Sequence, residues 1–230
     1  TVPVGTASLV KKMVLSELQN RKVSHLAAVL SNPEFLREGS AVWDCQNPDR
    51  IIIGCDDLDS AYKLRDFYLL CNDSVNILVM DNLSAELTKY AANCMLATKI
   101  SFINEIANLA EKFGADIESV RRGIASDPRI GAHFIAPGAG YGGSCFPKDI
   151  HALIYSAASV GFDAKLLKAV RGRNQEQKLK IYTMISQFYG NSLPGKVIAL
   201  WGLAFKANTS DMREAPSLDI IQRLIAAGAR

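Results

Sequence analysis

The chain has 230 residues, of which 49% are hydrophobic and 21% are charged, and its formal net charge is +3. This length accommodates one large domain or two modest domains with hydrophobic cores. The small, dispersed charge does not indicate a nucleic acid or an anionic membrane as partner. No apolar run reaches the roughly 18 residues of a membrane helix, and no signal-peptide pattern opens the chain, so we expect a cytoplasmic location.

The cysteines and histidines do not have the spacing of metal ligands. The five cysteines include no C-x-x-C pair, and the three histidines are far apart. An odd, scattered set of cysteines indicates neither a disulfide framework nor a zinc site. We therefore expect no bound metal.

Residues 1–80 have the pattern of an α/β domain. TVPVGT resembles a strand end followed by a turn, and Thr6 is a candidate cap for a helix over about 7–20. Strands are predicted for HLAAVLSNPEF (25–35), RIIIGCDD (50–57) and VNILVM (75–80), with a helical pattern between the last two. We interpret this section as the second half of a larger α/β domain.

Residues from about Ala85 to Phe113 predict one long helix that is apolar on almost every face and ends at Gly114. Its length would be about 40 Å. A helix that is apolar all round must be buried on all sides, so we expect a second copy of the chain to cover it. Further helices are predicted at about 116–125, 148–160 and 163–189, which makes residues 81–190 a central helical domain.

Residues 191–230 predict the beginning of another α/β domain. KVIALWG has the pattern of a buried strand, and SLDIIQRLIAAG that of an amphipathic helix with a glycine stop. Because the α/β elements are incomplete at both ends, we expect the chain to be the middle of a longer protein.

Cys145 lies in GYGGSCFPKD (140–149), where a glycine-rich turn leads into a predicted helix. Glycine allows close backbone approach, and Pro147 suits a first helical turn. The helix amides and Lys148 would favour the thiolate, so Cys145 is a candidate nucleophile for a carbonyl carbon. The glycines at 138, 140 and 143 also match G-x-G-x-x-G, but no strand pattern precedes them, and we interpret that match as coincidental.

Three pairs of polar residues are four positions apart, which on a helix would put both members on one face. The pairs are Glu34 with Glu38, Lys89 with Asn93, and Cys145 with Asp149. Lys89 and Asn93 fall inside the apolar helix, where an unpaired charge costs several kcal/mol, so a polar group must meet them. That group is either a functional partner or an internal salt bridge. The two glutamates follow a predicted strand end, where α/β sites gather, and a solvated acidic turn explains them equally well.

Two arginines and an aromatic–cation pair are candidate phosphate or base contacts. Arg129 and Arg213 each follow an aspartate in a loop, where the guanidinium suits either a phosphate or a surface ion pair. Phe205 and Lys206 end a predicted strand. They could meet a nucleobase and its phosphates, or pack within the protein.

Eight motifs, in this order, resemble those of the UDP-glucose/GDP-mannose dehydrogenase family: NPEFLREG, NPDRIIIG, KYAAN, SFINEIANL, DPRIG, GYGGSCFPKD, GLAFK and DMREAPS. GSCFPKD and DMREAPS favour the branch that acts on UDP-glucose, and GDP-mannose or another nucleotide sugar is the alternative. The resemblance implies an NAD-binding Rossmann-like domain, a helical dimerisation domain and a UDP-sugar-binding domain. It also implies a homodimer or a larger homo-oligomer, and NAD-dependent four-electron oxidation of UDP-glucose to UDP-glucuronate.

The resemblance assigns catalytic roles residue by residue. It implies a nucleophile that forms a thiohemiacetal and a thioester (Cys145), donors to a developing oxyanion (Lys89 and Asn93), a carboxylate in proton transfer (Asp149), a carboxylate in thioester hydrolysis (Glu34), and a threonine that holds a water (Thr1).

The resemblance also implies binding residues. For the substrate these are Phe35, Leu36, Arg37, Lys89, Asn93, Ala136, Pro137, Gly138, Ala139, Gly140, Tyr141, Gly142, Phe205 and Lys206, with Arg129 reaching the neighbouring subunit's substrate; for NAD they are Thr1, Glu38, Cys145, Lys148 and Arg213. The family's glycine fingerprint and later strands are not in these 230 residues. We therefore expect the chain alone to bind NAD poorly and to be impaired or inactive.

Two other classes of function stay open. A cysteine hydrolase or acyltransferase would need a histidine base, for which His151 is the nearest candidate in sequence. A non-catalytic helical dimerisation module would tolerate the loss of Cys145 or Lys89.

Overall fold

The computed structural model describes residues 1–25 and 27–230. Its elements are α1 (Thr6–Asn20), α2 (Ala41–Gln46), β1 (Ile51–Gly54), α3 (Leu58–Cys71), β2 (Ile77–Met80), α4 (Asn82–Phe113), α5 (Ile117–Ala125), α6 (Phe146–Ser159), α7 (Lys165–Phe188) and α8 (Pro216–Ala226). The chain divides into two compact units, Thr1–Ala92 and Asn93–Arg230, and α4 crosses the boundary. No helix in the described part of the chain is long and apolar enough to cross a membrane.

The first unit contains a parallel pair of strands with α3 as their connection, as the sequence predicted. β1 and β2 pair in register from Ile51 with Ile77 to Gly54 with Met80. Short runs of β-branched residues suit a buried parallel strand, and Ile53 is fully buried. A Cβ at Gly54 would lie 2.4 Å from the Ala85 Cβ. This glycine therefore lets the sheet approach the first turn of α4 closely.

The predicted strand over 25–35 does not form within the described residues of that range, which exclude Leu26. It is represented by one isolated antiparallel bridge between Ser31 and Gly54. The Ser31 backbone amide also donates to Asn82 Oδ1 at 2.9 Å. The Asn82 side chain of α4 thus supplies the Ser31 amide with an acceptor, where a neighbouring strand would supply a backbone carbonyl.

Thr6 is the first residue of α1 and not its cap. Its hydroxyl donates to the Pro3 carbonyl, and the preceding Gly5 has a φ of 95°. The amides of Gly5 and Ala7 donate instead to the Glu86 carboxylate, at 2.6 and 2.8 Å. The helix N-terminus is therefore capped by a carboxylate from a distant part of the chain, as the helix dipole favours.

Helix α4 spans 32 residues and ends where Gly114 takes a φ of 71°, close to the predicted bounds. One face is buried and includes Ala97 and Ile103. Another face exposes Met95, Phe102, Leu109 and Phe113, with Phe113 76% exposed. The helix is therefore apolar on a face that this chain does not cover.

The second unit packs α6 against α7 and α7 against α8, and the predicted helices are confirmed. The predicted buried strand KVIALWG is wrong, because Val197 is 78% exposed and Trp201 is fully exposed. Its backbone pairs with Arg230, through the amide of Ile198 and the carbonyl of Lys196.

Candidate active site

Cys145 lies at the start of α6, as the sequence predicted. It occupies the residue before the first helical residue, Phe146, and Pro147 follows in the first turn. The Cys145 thiol is half-buried, with the Ser144 hydroxyl 3.5 Å from its sulfur. The thiol therefore sits at the end of the helix where backbone amides point outward.

Asp149 is fully buried one turn along α6, where its amide donates to the Cys145 carbonyl at 2.9 Å. One carboxylate oxygen accepts from the Asn93 side-chain amide at 2.6 Å, and the other pairs with the Lys148 ammonium. The sequence placed that ammonium beside the Cys145 thiol, but in the structure it pairs with Asp149. The polar partner that the sequence required for buried Asn93 is thus a carboxylate.

Cys94 follows Asn93 on α4 and differs from Cys145 in its surroundings. Its side chain is buried, and burial together with the charge of Asp149 raises the pKa of the Cys94 thiol to about 11. Cys94 is therefore a neutral thiol at physiological pH. Such a thiol is a poor nucleophile.

Lys89 is the buried cation of the first unit. Its ammonium lies 3.4 Å from the Glu34 carboxylate, and its side chain is 5% exposed where that of Glu34 is 51% exposed. The ammonium also lies 5.1 Å from the centre of the Phe35 ring, on which the Arg50 guanidinium packs at 4.0 Å. One aromatic ring thus contacts two cations, an arrangement that is favourable on its π faces.

The segment from Glu34 to Glu38 is not helical, so the predicted shared face of these two glutamates is wrong. The Glu34 carboxylate accepts instead from the Leu36 amide at 2.7 Å, within its own turn. The Arg37 guanidinium and amide bond to Asp44, which holds the pKa of that carboxyl well below its usual range. The turn that presents Glu34 is therefore held by its own side chain on one side and by Arg37 on the other.

Residues 136–143, which we call the glycine-rich loop, lead to Cys145. Gly140 and Gly143 have φ values of 100° and 81°. A Cβ at Gly142 would lie 2.3 Å from the Glu214 carbonyl oxygen, and one at Gly143 would lie 2.8 Å from the Phe205 ring. No strand leads directly into the loop, since the element before it is helix α5 and residues 126–139 form turns and irregular chain, so the G-x-G-x-x-G match is coincidental.

The loop borders a cavity of about 280 Å³. Seven of the predicted substrate residues line it: Ala136, Gly138, Gly140, Tyr141, Gly142, Phe205 and Lys206. Phe205 and Lys206 do not end a strand, contrary to the sequence prediction. Pro137 and Ala139 belong to the same loop but not to the cavity lining.

The two predicted phosphate-binding arginines both pair with the aspartate two residues earlier. Arg129 bonds to Asp127, and Arg213 bonds to Asp211. The Arg129 side chain is 88% exposed and that of Arg213 is 68% exposed. The two pairs differ at the carboxylate, since the Asp127 side chain is 29% exposed and that of Asp211 is 12% exposed. An exposed ion pair contributes little to stability, so Arg129 is the arginine that can exchange its carboxylate for a phosphate at the smaller cost.

His151 and Thr1 are both exposed. His151 is six residues after Cys145 on α6, which places the two side chains on different faces. In the described structure no hydrogen bond joins the His151 imidazole to the Cys145 thiol, and this disfavours the hydrolase interpretation.

Sequence reasoning missed three buried amides, Asn104, Asn174 and Gln177, that bond to the glycine-rich loop. For Asn104 the available signal was a carboxamide inside the apolar pattern of α4, the same signal that drew attention to Asn93. Asn174 and Gln177 lie in the polar run RGRNQEQ of α7, where a carboxamide gives no such signal. The Asn104 side-chain nitrogen is buried without a hydrogen-bond partner in the described structure. It is therefore an unsatisfied donor near the cavity.

Models of one family match three successive sections of the chain. The NAD binding domain of the UDP-glucose/GDP-mannose dehydrogenase family matches residues 1–71, its central domain matches 83–176, and its UDP binding domain matches 199–230.

Individual relatives agree with these matches. The chain is 49% identical to the UDP-glucose 6-dehydrogenase of Pseudomonas aeruginosa and to YwqF of Bacillus subtilis, covering all of this chain and 51% of each relative. It superposes on a UDP-glucose dehydrogenase from Pyrobaculum islandicum with a TM-score of 0.92 and 42% identity, covering 52% of that protein. The chain thus spans about half the length of these relatives, and it belongs to the UDP-glucose/GDP-mannose dehydrogenase family.

Proposed function

We propose that this chain carries the catalytic centre of an NAD-dependent UDP-glucose 6-dehydrogenase, which oxidises the C6 alcohol of UDP-glucose to the carboxylate of UDP-glucuronate. The observation that carries the proposal is the arrangement on α4 and α6. Lys89 and Asn93 are buried one turn apart, each with a carboxylate partner. Cys145 stands at the helix start one turn before Asp149.

Cys145 is the proposed nucleophile. Its sulfur adds to the aldehyde carbon of the half-oxidised sugar, forming a C–S bond while the carbonyl oxygen takes up a proton, which gives a thiohemiacetal. Oxidation of that carbon gives a thioester, and water then breaks the C–S bond, releasing the carboxylate and returning the thiol. The open helix start and the half-buried position of the sulfur support this role.

Asn93 and Lys89 are the proposed donors to the oxygen on which negative charge develops. The side chains of both are buried and each has a carboxylate partner, and preorganised donors are what oxyanion stabilisation needs. Asp149 is the proposed proton acceptor, since its buried carboxylate is one turn from Cys145. Glu34 is the proposed base for the attacking water, because its half-exposed carboxylate is open to solvent.

Two molecules of NAD would bind in succession, and each would accept one hydride. Lys148 and Arg213 fit its pyrophosphate, since both are cations with side chains more than half exposed. Thr1 and Glu38 are further proposed contacts. The amides at the start of α1 do not fit it, because the Glu86 carboxylate already occupies them.

The nucleotide sugar is proposed to bind the glycine-rich loop, with Phe205 and Lys206 opposite. The cavity that these residues line supports this role. Phe35, Leu36 and Arg37 are proposed to border the sugar near Lys89, and the contact of Phe35 with the Lys89 ammonium supports this. Arg37 would act through its turn, since its guanidinium is engaged by Asp44.

A homodimer through α4 is part of the proposal. Met95, Phe102 and Leu109 are exposed and recur every seven residues, a spacing that forms one apolar face suited to a second helix. Arg129 is exposed enough to reach a neighbouring subunit's substrate. If the complete gene product sedimented as a monomer at micromolar concentration, the proposed homodimer would be contradicted. The cytoplasmic location stays a prediction.

The test is an NAD reduction assay on the complete gene product with UDP-glucose, UDP-galactose and GDP-mannose. We expect UDP-glucose to be preferred and two NADH to form per sugar oxidised. One NADH per sugar would exclude the double oxidation, and preference for GDP-mannose would support the alternative substrate. Absence of turnover with all three sugars would favour the dimerisation module.

A further inference from the structure

The glycine-rich loop is held by side-chain amides from α4 and α7. Asn174 accepts from the Tyr141 amide at 2.8 Å and donates to the Tyr141 carbonyl at 3.0 Å. Gln177 donates to the Gly138 carbonyl at 2.7 Å, and Asn104 accepts from the Gly138 amide at 2.8 Å. The backbone donor and acceptor of both loop residues are therefore paired with side chains, as a strand would be paired with its neighbour.

These amides are buried and have fixed orientations. Asn174 is 5% exposed and Gln177 is 7% exposed. Asn174 bonds to a donor on one side and an acceptor on the other, so its oxygen and nitrogen cannot exchange places. The Gln177 oxygen accepts from the Asn108 side chain at 2.8 Å, which fixes that amide too. Losing one such bond leaves a buried polar group unpaired, which is unfavourable.

The loop also approaches Asn174 more closely than a side chain would allow. A Cβ at Gly140 would lie 2.8 Å from the Asn174 side-chain oxygen. Gly140 and Tyr141 line the cavity, and Tyr141 packs edge-on against Phe146, the first residue of α6. A shift of Asn174 would therefore move the cavity wall.

We infer that Asn174 is a positioning residue for nucleotide-sugar binding, acting through the backbone of Tyr141. The inference rests on the proposed function. On the proposed function the loop would contact the sugar nucleotide both in the ground state and in the transition state, and Cys145 itself lies outside the loop, at the start of α6. Loss of Asn174 should therefore raise KM much more than it lowers kcat.

The test compares Asn174→Ala with Asn174→Asp and with Gln175→Ala, an exposed amide that is the next residue on α7. In the complete gene product, N174A should raise KM for UDP-glucose about ten-fold with kcat within about three-fold. N174D keeps an acceptor for the Tyr141 amide and should recover part of the loss, and Q175A should match wild type.

Hydrogen exchange gives a readout that does not depend on activity. The Tyr141 amide should exchange about ten-fold faster in N174A than in wild type or Q175A. Unchanged KM and exchange in a folded N174A would overturn the inference, as would a lower unfolding temperature with an unchanged KM. Gln177→Ala, which removes the bond to Gly138, replaces N174A if that variant does not fold. Wild-type protein that does not turn over UDP-glucose would instead refute the proposed function.

Discussion

The two polar pairs on α4 differ in how completely the protein encloses them. Asp149 is fully buried, and Asn93 donates to it at 2.6 Å. Glu34 is half-exposed, and its carboxylate is 3.4 Å from the Lys89 ammonium. The Asn93–Asp149 pair is thus buried on both sides, whereas in the Glu34–Lys89 pair only the ammonium is buried and the carboxylate is open to water. Asp149 is therefore an enclosed carboxylate, and Glu34 is a solvent-accessible one.

The largest expected effect comes from removing the thiol that both pairs are proposed to serve. Cys145→Ser should lower the rate of UDP-glucuronate formation by about 10³-fold or more, because a hydroxyl is a much weaker nucleophile than a thiolate. The measurement is the steady-state rate with product analysis. Cys71→Ser, at an exposed cysteine, is the control. A wild-type rate in C145S would show that Cys145 is not the nucleophile.

Neutral isosteres of the two carboxylates test the comparison directly. Asp149→Asn should reduce kcat about 100-fold and lower the free energy of unfolding by about 1–3 kcal/mol, because its carboxylate is fully enclosed. Glu34→Gln should slow thioester hydrolysis with accumulation of the acylated enzyme. It should lower the free energy of unfolding by less than Asp149→Asn does, because the glutamine oxygen can still accept from the buried Lys89 ammonium. Urea denaturation and mass spectrometry of the enzyme measure both. Equal losses of stability would remove the distinction between an enclosed and a solvent-accessible carboxylate.

Replacing the cation separates function from stability at the open pair. Lys89→Met removes a buried charge and keeps the volume, so kcat should fall about 100-fold while the unfolding free energy stays the same or rises. Lys112→Met, exposed at the end of the same helix, should change neither. A large loss of stability in K89M would show that the ammonium is mainly structural.

The smallest expected effect is the pH dependence of stability that comes from Cys94, the buried thiol beside the enclosed pair. Burial and Asp149 raise the pKa of Cys94 to about 11, above the ordinary thiol value. A raised folded-state pKa means that the unfolded thiol ionises first, so stability is lost as the pH rises from about 9 towards 11. We expect a loss of about 1 kcal/mol between pH 8 and 10, and Cys94→Ala should remove it. An equal slope in C94A would assign the loss to another group.

Much of the fold followed from local pattern. β1, β2 and the helices were predictable because each carries its own periodicity and stop signals, such as Gly114 after α4. The strands predicted at 25–35 and at KVIALWG failed because a strand also needs a neighbour to pair with. Thr6 failed as a cap because Glu86, 80 residues further on, supplies the acceptor.

The candidate site was predictable where burial alone demanded a partner. A buried Lys89 or Asn93 requires a polar partner, and in the structure these partners are Glu34 and Asp149. The amides of Asn174 and Gln177 could not be assigned in the same way, because their bonds go to the backbone of residues more than 30 positions away. A hydrogen bond to a backbone group does not depend on the side chain of the residue that it reaches, so the sequence of the loop does not reveal it.

The glycines of the loop have different mutational tolerance, although they look alike in the sequence. Gly142 faces the backbone of Glu214, which cannot swing aside as a side chain could. Gly138 has nothing within 4 Å of where its Cβ would be. A library randomised at both positions and selected for folded protein should therefore return glycine almost exclusively at 142 and small residues of several kinds at 138. Gly142 is required because two stretches of backbone pass close to each other there, whereas Gly138 is replaceable.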